Sequence, residues 1–95
     1  MSRARWTPAA QDDFSALDDE SSQLSPDYAY RVGHAALAAA RFLAENPGAG
    51  PVLDGTVRKW RVRQTDYVLL YRITKMGVEI LRLMHAMRDW RPRRP

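Results

Sequence analysis

The sequence predicts an α+β domain, a helical hairpin packed on a small, mainly antiparallel sheet, in the order strand, helix, helix, strand, strand, strand. Three observations carry this prediction. Two hydroxyl–proline pairs, Thr7-Pro8 and Ser25-Pro26, have the form of helix starts, with the hydroxyl as cap and proline at the first helical position. The segment Asn46 to Pro51, NPGAGP, is rich in Gly and Pro and marks the change from helix to strand patterning. Beyond it, three strand-like segments follow one another across two short turns between Val57 and Met84.

Arg3 to Thr7 reads as a short opening strand with Trp6 as its core anchor. In the first helix Ala10, Phe14 and Leu17 recur at helical spacing, while Asp12, Asp13, Asp18 and Asp19 supply a wet face. Asp12 and Asp13 are expected in its first turn, where the helix dipole favours negative charge. The helix is expected to fray near Ser21-Ser22. The second helix puts Ala29, Val32, Ala36, Ala40 and Leu43 on one stripe, whose alanines admit a close neighbour. It ends at Asn46, because a residue before proline avoids helical geometry. Two helices joined by so few residues form an antiparallel hairpin.

From Val57 to Arg63, alternation places Arg58, Trp60 and Val62 on one face and Lys59, Arg61 and Arg63 on the other. Tyr67 to Ile73 is apolar on both faces, the pattern of a central strand covered on both sides. A three-residue link, Gln64-Thr65-Asp66, would set Val62 opposite Val68 and Trp60 opposite Leu70. Thr74 to Gly77 makes the next turn, with Gly77 free to take positive φ. That register sets Arg72 opposite Glu79, a pair read as sheet stability rather than catalysis. Val78 to Met84 forms the last strand. Residues 1–89 thus read as one domain, too short for two cores, and residues 90–95 as a basic, Pro-rich tail.

Charge is unevenly placed along the chain. Up to Asp54 there are eight acids against four Lys/Arg; from Gly55 onward there are eleven Lys/Arg against three acids. A basic sheet region on an otherwise acidic chain points to a polyanion or an acidic protein surface as partner. The plainer reading is a solvated surface. With no cysteine, disulfides and thiolate chemistry are excluded. His34, His85 and the carboxylates show no ligand-like spacing, so neither metal nor cofactor is expected. The longest apolar run, Ala35 to Ala40, is far below membrane-span length, and MSRARWTPAA lacks the apolar stretch of a signal peptide. A cytoplasmic protein with no membrane partner is expected.

Five motifs stand in order along the chain: Trp6-Thr7-Pro8-Ala9-Ala10-x-x-Asp13, Leu43-x-x-Asn46-Pro47-x-x-Gly50, Arg58-Lys59-Trp60, Tyr67-x-x-x-Tyr71-Arg72 and Ile80-Leu81-Arg82-x-x-His85-x-x-Arg88-Asp89. Together they resemble the ParE/RelE superfamily of type II toxin–antitoxin toxins, over nearly the whole chain. The resemblance implies the RelE/ParE-like fold and a cognate antitoxin as partner. The family has two functional branches. RelE-like members cleave mRNA on the ribosome with clustered basic residues and a tyrosine, whereas ParE-like members inhibit DNA gyrase without nuclease activity.

Departures from the motifs separate the branches. Lys59 and Arg61 lie where the RelE-like branch carries paired lysines, and Arg88 where it carries an arginine. Val68 stands where that branch has another arginine, and no tyrosine follows Tyr71. The resemblance therefore implies a ParE-like gyrase inhibitor. The alternating basic face, aligned with Arg88 and the tail, makes Lys59, Arg61, Arg63, Arg88, Trp90 and Arg91 the candidate target-binding residues. The alternative is a ribosome-dependent mRNA endoribonuclease using Lys59, Arg61, His85 and Arg88. There His85 would be the acid or base, as in some nuclease relatives; the plainer reading is a strand-end histidine bonded to backbone or supporting Asp89. His34 reads as structural or solvent-facing, and Trp6 and Trp60 as core.

Overall fold

Ser25 ends one helix and begins the next, and this double role sets the hairpin. In the computed structural model, which describes residues 2–86, α1 spans Pro8–Leu24 and α2 spans Pro26–Glu45. The Ser25 N–H donates to the Ser21 carbonyl (3.1 Å), while its Oγ accepts from the Tyr28 N–H (2.9 Å). Thr7 caps α1 in the same way, its Oγ1 accepting from the Ala10 N–H at 3.1 Å. The first helix does not fray at Ser21-Ser22. It runs on to Leu24, because Ser21 is buried and supplies the carbonyl that closes the last turn. Nor do Asp12 and Asp13 lie in its first turn, which holds no acid. They fall in the second, too far along for the end dipole to favour them. The stripe Ala29, Val32, Ala36, Ala40 and Leu43 is buried throughout, and α2 ends where Asn46 caps it.

Five strands, one more than expected, make a mixed sheet in the order β1-β5-β4-β3-β2. They are β1 (Arg3–Trp6), β2 (Val52–Asp54), β3 (Val57–Arg61), β4 (Tyr67–Thr74) and β5 (Gly77–His85). β1 runs parallel to β5 and every other pairing is antiparallel. The extra strand, β2, is an edge segment of three residues in the shadow of the NPGAGP turn, turned back by Gly55 at φ 58°.

The β3–β4 register differs by one residue from expectation: Trp60 faces Leu69 and Arg61 faces Val68. The loop holds four residues rather than three, closed by the Val62 N–H on the Tyr67 carbonyl (2.9 Å). Gln64 adopts φ 61°, and Thr65 Oγ1 both donates to the Val62 carbonyl (2.8 Å) and accepts from the Tyr67 N–H (3.0 Å). A threonine filling both roles stabilises the longer turn. The β4–β5 turn is as expected, with Gly77 at φ 138° and Arg72 Nε 2.7 Å from Glu79 Oε1. Leu81 is a bulge between the Tyr71–Ile80 and Leu70–Arg82 pairs, and its carbonyl accepts from Thr7 Oγ1 at 3.0 Å.

Both helices lie on one face of the sheet. Leu69 and Tyr71 of β4 and Val78, Ile80 and Leu83 of β5 join Ala36, Ala40 and Leu43 in one core. Double-sided cover of β4 holds only for its first half, since Arg72 and Ile73 are exposed. Trp6 and Trp60 are half-buried at the core margin, not central to it. Trp6 meets Phe14 edge-on at 5.6 Å and Trp60 stacks on Phe42 at 5.3 Å.

Polar locks tie the loops to this core. The fully buried Tyr71 donates to the Pro47 carbonyl (2.7 Å) and accepts from the Gly50 N–H (2.9 Å), and Arg58 reaches the Gly50 carbonyl at 2.7 Å. A Cβ on Gly50 would stand 2.3 Å from the Lys59 carbonyl, which explains the glycine. Asp13 is not a wet-face residue. Its carboxylate takes two hydrogen bonds from Arg82 (2.7 and 3.0 Å) and one from the Leu83 N–H (2.9 Å), beyond the point where β1 stops pairing with β5. All five sequence motifs are thus joined in two locks that hold the fold together, the second, third and fourth through Tyr71 and Arg58, the first and fifth through Asp13.

Candidate functional site

Trp60 turns toward α2, so its neighbours Lys59 and Arg61 project from the other, helix-free face of the sheet. Lys59 is half-buried opposite Leu70. Arg61 is exposed and held to its own hairpin, with Nε and Nη2 on the Thr65 carbonyl (3.2 and 3.1 Å) and Asp66 Oδ1 at 3.6 Å. Val68, buried and opposite Arg61, occupies the position between these cations and β5. It offers no charge to a phosphate.

The same face carries cations that the sequence reading did not single out. On β1, Ala4 and Trp6 pack toward the core, so Arg3 and Arg5 face outward with Arg72 of β4. Together with Glu79 and Met76 they line a shallow hollow of about 530 Å³. The signal was present: once Trp6 is taken as the anchor, strand alternation sends Arg3 and Arg5 to the opposite side.

Arg63 does not share the face of Lys59 and Arg61. The strand ends before it, and in the loop it lies beside Gln64 on the α2 side. There a groove of about 420 Å³ runs between α2 and β3, lined by Ala35, Ala38, Ala39, Phe42 and Trp60. Tyr30, Leu37 and Phe42 leave further apolar surface exposed along α2. His34 is exposed and stacks on Tyr30 (5.4 Å), consistent with its solvent-facing reading.

His85 sits at the end of β5, on the helix-facing side. It packs edge-on against Tyr67 at 5.2 Å, and the Tyr67 hydroxyl reaches Glu20 of α1 at 3.3 Å. The sheet thus separates His85 from Lys59 and Arg61. Arg88, Trp90 and Arg91, with Asp89, lie outside the described residues. Among the described residues no three His, Asp or Glu side chains converge as a metal site would require, and no helix is long and apolar enough to cross a membrane.

Comparison with known proteins agrees with this fold. A family model described as "ParE toxin of type II toxin-antitoxin system, parDE" matches residues 4–90. Toxin RelE2 of Caulobacter vibrioides is 35% identical over 88 residues, covering 93% of this chain and 99% of that protein. Putative toxin Y4kP of Sinorhizobium fredii is 34% identical over 89 residues, covering 93% of this chain and 92% of its own length. Among solved structures, a chain of the chromosomal ParDE TA system from P. aeruginosa superposes with a TM-score of 0.77 at 25% identity. That match covers 90% of this chain and 96% of the other.

Proposed function

The chain belongs to the ParE toxin family of type II toxin–antitoxin systems, and we propose that it inhibits DNA gyrase by binding and is neutralised by a cognate antitoxin. The observation that best supports a non-catalytic toxin is the separation of the would-be nuclease residues. A phosphodiester-cleaving site needs cations where charge develops and a proton-moving group beside them. Here Lys59 and Arg61 are on one side of the sheet, His85 is on the other, and Val68 is apolar. The name Toxin RelE2, carried by a relative 35% identical, favours the alternative, a ribosome-dependent mRNA endoribonuclease.

Two assays divide these readings. With purified gyrase and supercoiled plasmid, the protein should block supercoiling or trap cleaved DNA, while mRNA in a translating extract stays intact. Codon-dependent transcript cleavage in that extract would replace the gyrase reading with the nuclease. His85→Ala sharpens the choice. A nuclease using His85 as acid or base would lose ~10²–10⁴-fold in rate. The binding mechanism predicts a stable, fully toxic His85→Ala variant, and complete loss of toxicity in a folded one would sink it.

The antitoxin reading is supported by the groove beside Phe42 and Trp60. It is apolar and flanked by the apolar side chains of α2, with Arg63 at its rim. An amphipathic segment with acidic flanks suits it, apolar contacts supplying affinity and charge supplying rate. Raising the salt concentration should therefore slow association of the complex while changing its dissociation little.

A further inference from the structure

We infer that the open face of the sheet binds the phosphate backbone of duplex DNA, along a diagonal row of cations from Lys59 and Arg61 to Arg72, Arg5 and Arg3. The pairing register sets the row. Arg61 and Lys59 stand opposite Val68 and Leu70 of β4, Arg72 follows on β4, Glu79 of β5 lies beside Arg72, and Arg5 of β1 lies beside Glu79. All project from the side that carries no helix. Arg72 is paired with Glu79, but the guanidinium groups of Arg3 and Arg5 have no hydrogen-bond or ion-pair partner among the described residues.

Geometry and surface chemistry choose the ligand. With strands ~4.8 Å apart and ~3.3 Å of rise per residue, the row spans roughly 24 Å corner to corner. A B-DNA major groove is about 12 Å wide. The two ends of the row therefore reach the phosphate walls on either side of it. Guanidinium forks match phosphate oxygens, and unpaired arginines are available to displace counterions. An acidic protein segment would also meet this charge but would find little to bury. Met76 is the one large hydrophobic on the rim of this hollow that is more than half exposed, whereas the accessible apolar surface of α2 is on the other side. The choice of duplex over RNA rests on the gyrase reading, since that enzyme works on duplex DNA.

The test is fluorescence anisotropy of a labelled 30-base-pair duplex with the full chain, across a series of KCl concentrations. Arg3→Ala/Arg5→Ala should weaken binding and reduce the magnitude of the log Kd against log salt slope by about 1.8, two phosphate contacts at 0.9 each. Both side chains are exposed, and near-UV circular dichroism checks that the fold is kept. Arg31→Ala/Arg41→Ala, on the exposed part of α2, should leave the slope unchanged. A slope indifferent to Arg3 and Arg5 overturns the inference. So does a wild-type chain that binds single-stranded RNA or poly-glutamate but not the duplex. Duplex binding through Arg3 and Arg5 without any effect on gyrase would remove the gyrase reading and leave this site. A gyrase poison whose DNA binding ignores those arginines would do the reverse.

Discussion

Toward the helices, Leu69, Tyr71, Ile80 and Leu83 are sealed against Ala36, Ala40 and Leu43; on the other side of the same sheet, Arg61, Arg72, Arg5 and Arg3 meet solvent. A strand has a period of two, so one sequence serves both sides residue by residue. The helix side draws its stability from apolar area, at about 25 cal/mol per Å². Exposed charges contribute little to folding, typically under 1 kcal/mol for an ion pair. The exposed charges of the open side are therefore free to change for binding at little cost to the fold, and substitutions there and in the helix-side core should have separable effects.

The largest effects should come from the helix side. Leu69→Ala removes a fully buried side chain and should destabilise by about 3 kcal/mol in urea unfolding. Tyr71→Phe keeps the ring but strands the Gly50 N–H and the Pro47 carbonyl, at a cost of about 2 kcal/mol. If Tyr71→Phe were neutral, the loop of residues 46–51 would not depend on that hydroxyl. The contrast between the faces would then rest on apolar area alone.

How far the sequence reveals this division depends on whether a signal is local. Helix caps, the α2 stripe and the Arg72–Glu79 register follow from neighbours a few residues apart, and the structure shows all three. Asp13 reads as one more acid on a wet helix, because its partner Arg82 lies 69 residues away. The β3–β4 loop length turns on Gln64 accepting positive φ, which nothing in its identity announces. That single added residue also ends the strand before Arg63 and sends it to the α2 side. Arg3 and Arg5 are legible from Trp6 by alternation, but they sit in the half of the chain where acids outnumber Lys/Arg, so the charge count does not mark them. His85 is placed opposite Lys59 only by tertiary pairing, so no motif spacing could have separated them.

Trp60 lies between the two regimes and sharpens the comparison. As a central core residue its loss would cost the 3–5 kcal/mol of a large cavity. Half-buried and stacked on Phe42, it should cost about 1.5 kcal/mol as Trp60→Ala, mostly lost area and the aromatic pair. Affinity for the antitoxin, measured by titration calorimetry, should fall more than stability does. Equal losses in both would mean that the groove serves only the fold.

The smallest effect on folding should come from Arg61. Its side chain is 68% exposed, so Arg61→Ala should change stability by no more than about 0.5 kcal/mol. Toxicity and duplex affinity should nevertheless fall, because the row loses one of its end charges. The guanidinium also holds the Thr65 carbonyl, which leaves a structural explanation to be removed. Arg61→Lys removes it, keeping the charge while losing the two-pronged contact to the turn. If charge is what matters, the lysine variant should recover most of the duplex affinity. Were it as weak as the alanine variant, Arg61 would belong to the hairpin's architecture, and the open face would lose one end of its row.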